Sequence, residues 1–118
     1  VPEKIPAGGL RVIFPSSPIV DEHENLPTWF RYADAHEDIS SPNRYVQFDL
    51  DYSSSVVYNL VMHEVDRCGW SSTFLAGHSQ GAILALHLQL TKLERPLAGL
   101  ALFSGFSIHP LRQLIMLA

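Results

Sequence analysis

The sequence predicts an α/β domain: a parallel sheet with flanking helices, in the order strand, helix, strand, helix, strand (a βαβαβ core). Three observations lead there. Short β-rich runs alternate with longer stretches of helical period, the pattern that threads helices between parallel strands. The last run, Leu97 to Phe103, is apolar nearly throughout, as expected of a strand covered on both faces. Finally, 118 residues with 47% apolar and 17% charged side chains suit one domain and argue against disorder or a fibrous repeat.

Taken in order, Leu10-Arg11-Val12-Ile13-Phe14 reads as the first strand, stopped by Pro15. Residues 15–50 hold no sustained period and are dominated by Asp, Glu, His, Ser and Pro. They read as a long loop with one helical turn near Trp29-Phe30, a length at which loops are often functional. From about Ser53 to Arg67 the period turns helical: Val57, Val61 and Val65 recur at four-residue spacing beside Leu60, with Asn59, Glu64 and Asp66 on other faces. Asp51 or one of Ser53, Ser54 and Ser55 is placed to cap this helix, and Gly69 to end it. Thr73-Phe74-Leu75-Ala76 is the second strand. Gln80 to Leu93 is a second helix, apolar on most faces and therefore buried, and Pro96 closes it before the third strand, Leu97 to Phe103.

Charge and cysteine content remove several function classes. Net charge is −4 and the eight Lys and Arg residues are scattered singly, so neither nucleic acid nor an anionic membrane is the expected partner. A single cysteine, Cys68, excludes an internal disulfide and a cysteine-cluster metal site. The longest apolar stretches, Ala82 to Leu86 and Leu114 to Ala118, fall far short of the roughly 20 residues that cross a bilayer. Val1-Pro2-Glu3-Lys4 carries neither an initiator Met nor a signal-peptide pattern. The chain therefore reads as residues 1–118 of one incomplete domain, its central part, with a cytoplasmic location expected.

Between the second strand and the second helix lies Gly77-His78-Ser79-Gln80-Gly81-Ala82, a G-x-S-x-G sequence in its confirming strand–turn–helix context. Such a nucleophile elbow holds its Ser in strained dihedrals so that the hydroxyl projects above the sheet. Gly77 and Gly81 leave room where a Cβ would collide with the neighbouring strand or helix. Ser79 is thus the candidate catalytic nucleophile. The backbone N–H of Gln80, at the helix N-terminus, is the candidate oxyanion donor.

Gly77 to Ala82 resembles the elbow of the phospholipase/carboxylesterase group of α/β-hydrolases, which includes the acyl-protein thioesterases. Phe14-Pro15-Ser16-Ser17-Pro18 followed by Leu26-Pro27-Thr28-Trp29-Phe30 is similar to that family's strand-then-proline segment and its Pro-Ser-Trp-Phe-like segment. Leu100 to Phe106 is similar to the strand and Ser-Gly-aromatic turn after the elbow helix. These segments, in family order, span most of residues 10 to 106. Arg31 stands where the family usually carries Asp, and His78 replaces a common Phe. The resemblance implies a partial α/β-hydrolase fold, with Trp29 lining an acyl-binding groove. The competing reading of Trp29 is an aromatic plug over the sheet.

Hydrolases of this fold order their triad as Ser, acid, His. After Ser79 there is no Asp, one Glu (Glu94) and two histidines, His87 and His109. His87 and Glu94 lie on or just past the elbow helix, out of reach of Ser79. His109 follows the third strand too soon to match the family's His. No catalytic Asp or His is therefore identified, and Ala7-Gly8-Gly9 precedes a strand rather than following one, so the second oxyanion donor is also missing. A serine without its base is a poor nucleophile, and these residues alone are expected to be inactive.

Other candidates have plainer readings. Asp21, Glu22, His23 and Glu24, like His36, Glu37 and Asp38, could ligate a metal but read better as solvated loops, so no metal or cofactor is expected. His63 reads as a surface or boundary residue, Tyr58 and Trp70 as packing, and nothing around Cys68 points to reactivity. The leading expectation is a serine hydrolase acting on lysophospholipids, S-acylated proteins or small esters through an acyl-Ser79 intermediate. The alternatives are a non-catalytic binding or scaffold derivative, a truncated inactive product that dimerises or needs the remainder of its domain, and an acyltransferase.

Overall fold

The computed structural model describes residues 8–32 and 46–104. The elements are β1 (Ile19–Asp21), β2 (Leu26–Thr28), α1 (Gln47–Cys68), a 3-10 turn (Trp70–Ser72), β3 (Phe74–His78), α2 (Gln80–Thr91) and β4 (Gly99–Phe103). β3 and β4 pair in parallel, from Phe74 opposite Gly99 to His78 opposite Phe103, and α2 makes the crossover between them. This is the α/β arrangement expected, with one βαβ unit formed among the described residues.

The predicted first strand does not form. Leu10 to Phe14 run without a strand partner among the described residues, leaving Leu10 83% and Phe14 88% exposed. Arg11 instead reaches Glu64 of α1 at 3.5 Å. β-rich composition makes a strand only where a second edge supplies the hydrogen bonds.

The region read as loop contains an antiparallel hairpin, Ile19 opposite Thr28 and Asp21 opposite Leu26. Its turn is built by side-chain chemistry. Asp21 Oδ1 accepts from the N–H groups of His23 (2.9 Å) and Glu24 (3.4 Å), Asn25 adopts φ 54°, and Asn25 N–H closes onto Asp21 C=O at 2.7 Å. The acidic run from Asp21 to Glu24 is therefore a hairpin turn. No metal-holding cluster of His, Cys, Asp or Glu occurs among the described residues. His36, Glu37, Asp38 and His109 lie outside them.

α1 begins at Gln47, well before the expected Ser53, and Val46 caps it without a side-chain bond. The buried stripe runs Leu50, Ser53, Ser54, Val57, Val61, Val65. Its helical period is complete, but serines occupy two of the positions and hide it from any reading based on hydrophobicity. Asp51 and Ser55 are not caps: Asp51 accepts from Gln47 one turn earlier, and Ser55 donates back to the Asp51 carbonyl. Leu60 is 37% exposed rather than in the stripe. Gly69 ends the helix at φ 87°, where its N–H bonds Val65 C=O at 2.7 Å.

α2 is buried continuously from Ala82 to Gln89 and packs on β3, β4 and α1. It stops at Thr91, and β4 starts only at Gly99. The turn between is held by Gln89, whose amide donates to Arg95 C=O and accepts from Leu97 N–H. Tyr58 and Trp70 pack against the core as expected, and Arg95 lies 4.9 Å over the Trp70 ring. Only one sheet face is covered among the described residues. Leu75 and Gly77 face inward, whereas Phe74, Ala76 and His78 are exposed, as are their same-face partners Ala101 and Phe103 of β4. Among the described residues β4 is therefore covered on one face.

Leu88 is fully buried at the centre of this core. Replacing Leu88 with Ala is expected to cost about 2–5 kcal/mol in urea denaturation, through lost transfer energy and a residual cavity. The same truncation at Leu60, 37% exposed, is expected to cost less, about 1–2 kcal/mol.

Candidate active site

β3 ends at His78 and α2 begins at Gln80, so Ser79 alone turns the chain from strand to helix. It does so at φ 54° and ψ −117°, a backbone region that L residues rarely adopt. Such strain costs roughly 1–3 kcal/mol and persists only where neighbours over-determine it. Here they do. Ser79 N–H donates to Phe103 C=O at the end of β4 (2.8 Å), and Ser79 C=O accepts from Ala82 (3.0 Å) and Ile83 (3.2 Å). The Ser79 side chain is left exposed.

The two elbow glycines are not equivalent. A Cβ on Gly77 would overlap the Gly81 carbonyl and lie 2.6 Å from Ala82 N. Among the described residues, a Cβ on Gly81 would meet only Trp29 Nε1, at 3.8 Å. Close approach of strand and helix thus requires Gly at 77; the expected collision at Gly81 is not present. His78 is exposed on the sheet's uncovered face.

Gln80 and Gly81 lead α2, and their N–H groups have no carbonyl one turn back within the helix. The Gln80 N–H is therefore available to a developing negative charge beside Ser79. The Gln80 side chain does something the sequence did not suggest. Its Oε1 accepts from Trp29 N–H (2.7 Å) and lies 2.9 Å from Thr28 Oγ1, while its Nε2 donates to Phe30 C=O (2.7 Å). From α1, the Ser53 hydroxyl donates to Trp29 C=O. Trp29 is half-buried, packed on the core, with its indole near the first turn of α2. The Thr28–Phe30 segment is in this way brought to the elbow from some 50 residues upstream.

Arg31 and Asp49 supply the strongest electrostatic contact of the region. Arg31 Nε and Nη2 donate to the two carboxylate oxygens of Asp49 at 2.8 and 3.0 Å, and Arg31 backbone N–H donates to Oδ2 at 3.0 Å. Asp49 is buried in the first turn of α1. The Arg31 hydrogen bonds hold its carboxyl below the ordinary value of 3.8 against the opposing effect of burial. Nothing local in the sequence pairs these two residues. The signal was there in the Arg at position 31, but its partner could be any of the chain's carboxylates.

No triad partner joins Ser79 among the described residues: no side chain there hydrogen-bonds its Oγ. His87 is buried eight residues along α2, about 12 Å up the axis at 1.5 Å per residue, and Glu94 is exposed beyond its end. A groove of about 360 Å³ opens elsewhere, lined by Leu10, Ile13, Leu60, Cys68 and Phe74 among others, and includes no elbow residue. Among the described residues no helix is long and apolar enough to cross a membrane.

Compared with known protein families, residues 8–113 match a model described as Phospholipase/Carboxylesterase. No curated protein matches the chain.

Proposed function

The chain belongs to the phospholipase/carboxylesterase family of α/β-hydrolases, hydrolases of the esterase and phospholipase type, and on that premise we propose that Ser79 is its nucleophile. The substrates are carboxylic esters or thioesters: lysophospholipids, S-acylated proteins or small esters. Ser79 Oγ adds to the carbonyl carbon, and the Gln80 N–H donates to the resulting oxyanion. Collapse expels the alcohol or thiol and leaves an acyl-Ser79 ester, which water then opens. The base that takes the Ser79 proton, and returns it to the leaving group, is a His outside the described residues. The observation that carries this reading is the left-handed Ser79 backbone between β3 and α2.

A non-catalytic binding derivative of the fold is the second reading. Intact-mass labelling with a fluorophosphonate separates the two, with circular dichroism to confirm folding and imidazole added as a surrogate base. A single adduct is expected that forms slowly, accelerates with imidazole and is absent from Ser79→Ala. An adduct that forms quickly without imidazole points to a base within the chain or across a dimer, His109 first. A folded chain that gains no adduct under either condition overturns the catalytic reading.

A further inference from the structure

We propose that the Gln80 side chain is a positioning residue: it fixes Trp29 against the elbow, so that the indole walls the acyl-chain site beside Ser79. The acyl site itself rests on the function proposed above; the clamp rests on geometry. Trp29 lies just past β2 and has no ladder to hold it. Both polar groups of its backbone are instead taken by side chains of different helices, the N–H by Gln80 of α2 and the C=O by Ser53 of α1. The orientation of the Gln80 amide is forced. Trp29 N–H can only donate and Phe30 C=O can only accept, so exchanging the amide's O and N would break both 2.7 Å bonds. The Thr28 hydroxyl, with one proton, serves either Gln80 Oε1 or Phe30 C=O, each at 2.9 Å. The residue so anchored is also the one whose own N–H faces the reaction centre. Tethering its side chain therefore restrains the oxyanion donor and the acyl wall through one group.

The test uses the full chain carrying Trp70→Phe, which leaves Trp29 as the sole tryptophan. A dibrominated C18 fatty acid quenches tryptophan emission only on contact. Saturable quenching is expected in this background and equally with Ser79→Ala added, since binding needs no nucleophile. Adding Gln80→Met is expected to raise the half-saturating concentration about tenfold and red-shift Trp29 emission, with the far-UV spectrum unchanged. Gln80→Glu keeps the acceptor for Trp29 N–H and loses the donor to Phe30, so it falls between; it carries the comparison if the Met variant does not fold. Quenching that is absent, or unchanged by both Gln80 substitutions, overturns the inference. Ser79 adducts without quenching defeat this inference alone, and quenching without adducts defeats the catalytic reading alone.

Discussion

Gly77→Ala is expected to destabilise the protein by at least about 3 kcal/mol, the upper range for overpacking, because the added carbon meets backbone that no rotamer change can move aside. It would overlap the Gly81 carbonyl and crowd Ala82 N at 2.6 Å, forcing β3 and the first turn of α2 apart. Those two elements pin Ser79, so the elbow distorts together with the core beneath it. In thermal denaturation the loss corresponds to a fall in Tm of roughly 10 °C or more for a domain of this size. Gly81→Ala is the matched control. Its Cβ stays 3.8 Å from Trp29 Nε1, and Ala is favoured over Gly in a helix by about 1 kcal/mol, so stability should hold or rise. Equal Tm losses for the two variants would refute this account of the elbow.

Acid should weaken the protein through Asp49, and removing the Arg31 side chain should flatten that dependence. The Asp49 carboxyl is held below 3.8 in the folded state, chiefly by the Arg31 side-chain bonds. A depressed carboxylate binds fewer protons folded than unfolded, so its stabilisation is fully present above the ordinary carboxylate range. That stabilisation is lost as pH falls below about 4, through the lowered folded value. Arg31→Met removes the side-chain bond and the charge, the largest influence lowering the Asp49 carboxyl, so the loss of stability on acidification shrinks. Asp49→Ala abolishes either slope and costs about 1–3 kcal/mol through the lost charged hydrogen bonds. Urea midpoints of the three proteins between pH 3 and 7 check this dependence; a parallel pH slope in the parent and Arg31→Met would refute it.

How far the site was legible from sequence follows from the range of the forces involved. The strand–Ser–helix turn and the buried helix behind it are written in adjacent residues. Gly77 is the residue without a side chain that the turn needs, and Ala82 to Leu88 admit no exposed face. The end of α1 is equally local, since Gly69 is the residue that tolerates φ 87°. Even the hairpin has a local signal, Asp21 and Asn25 bracketing the turn.

What only the tertiary structure decided involves partners distant in sequence. Leu10 to Phe14 have strand composition, but a strand is a relation between two edges, and no described edge meets this one. Ser53 and Ser54 belong to the buried stripe of α1 because Trp29 C=O and the core lie against them, which no hydropathy period records. Gly81 is spared a collision by the path of the helix, although its position in the motif mirrors Gly77. The Arg31–Asp49 pair and the Gln80 clamp on Trp29 join residues that polarity makes able to bond many partners. Periodicity and turn chemistry act over a few residues and can be read along the chain. Hydrogen bonds between polar side chains become specific only when the fold places one donor before one acceptor.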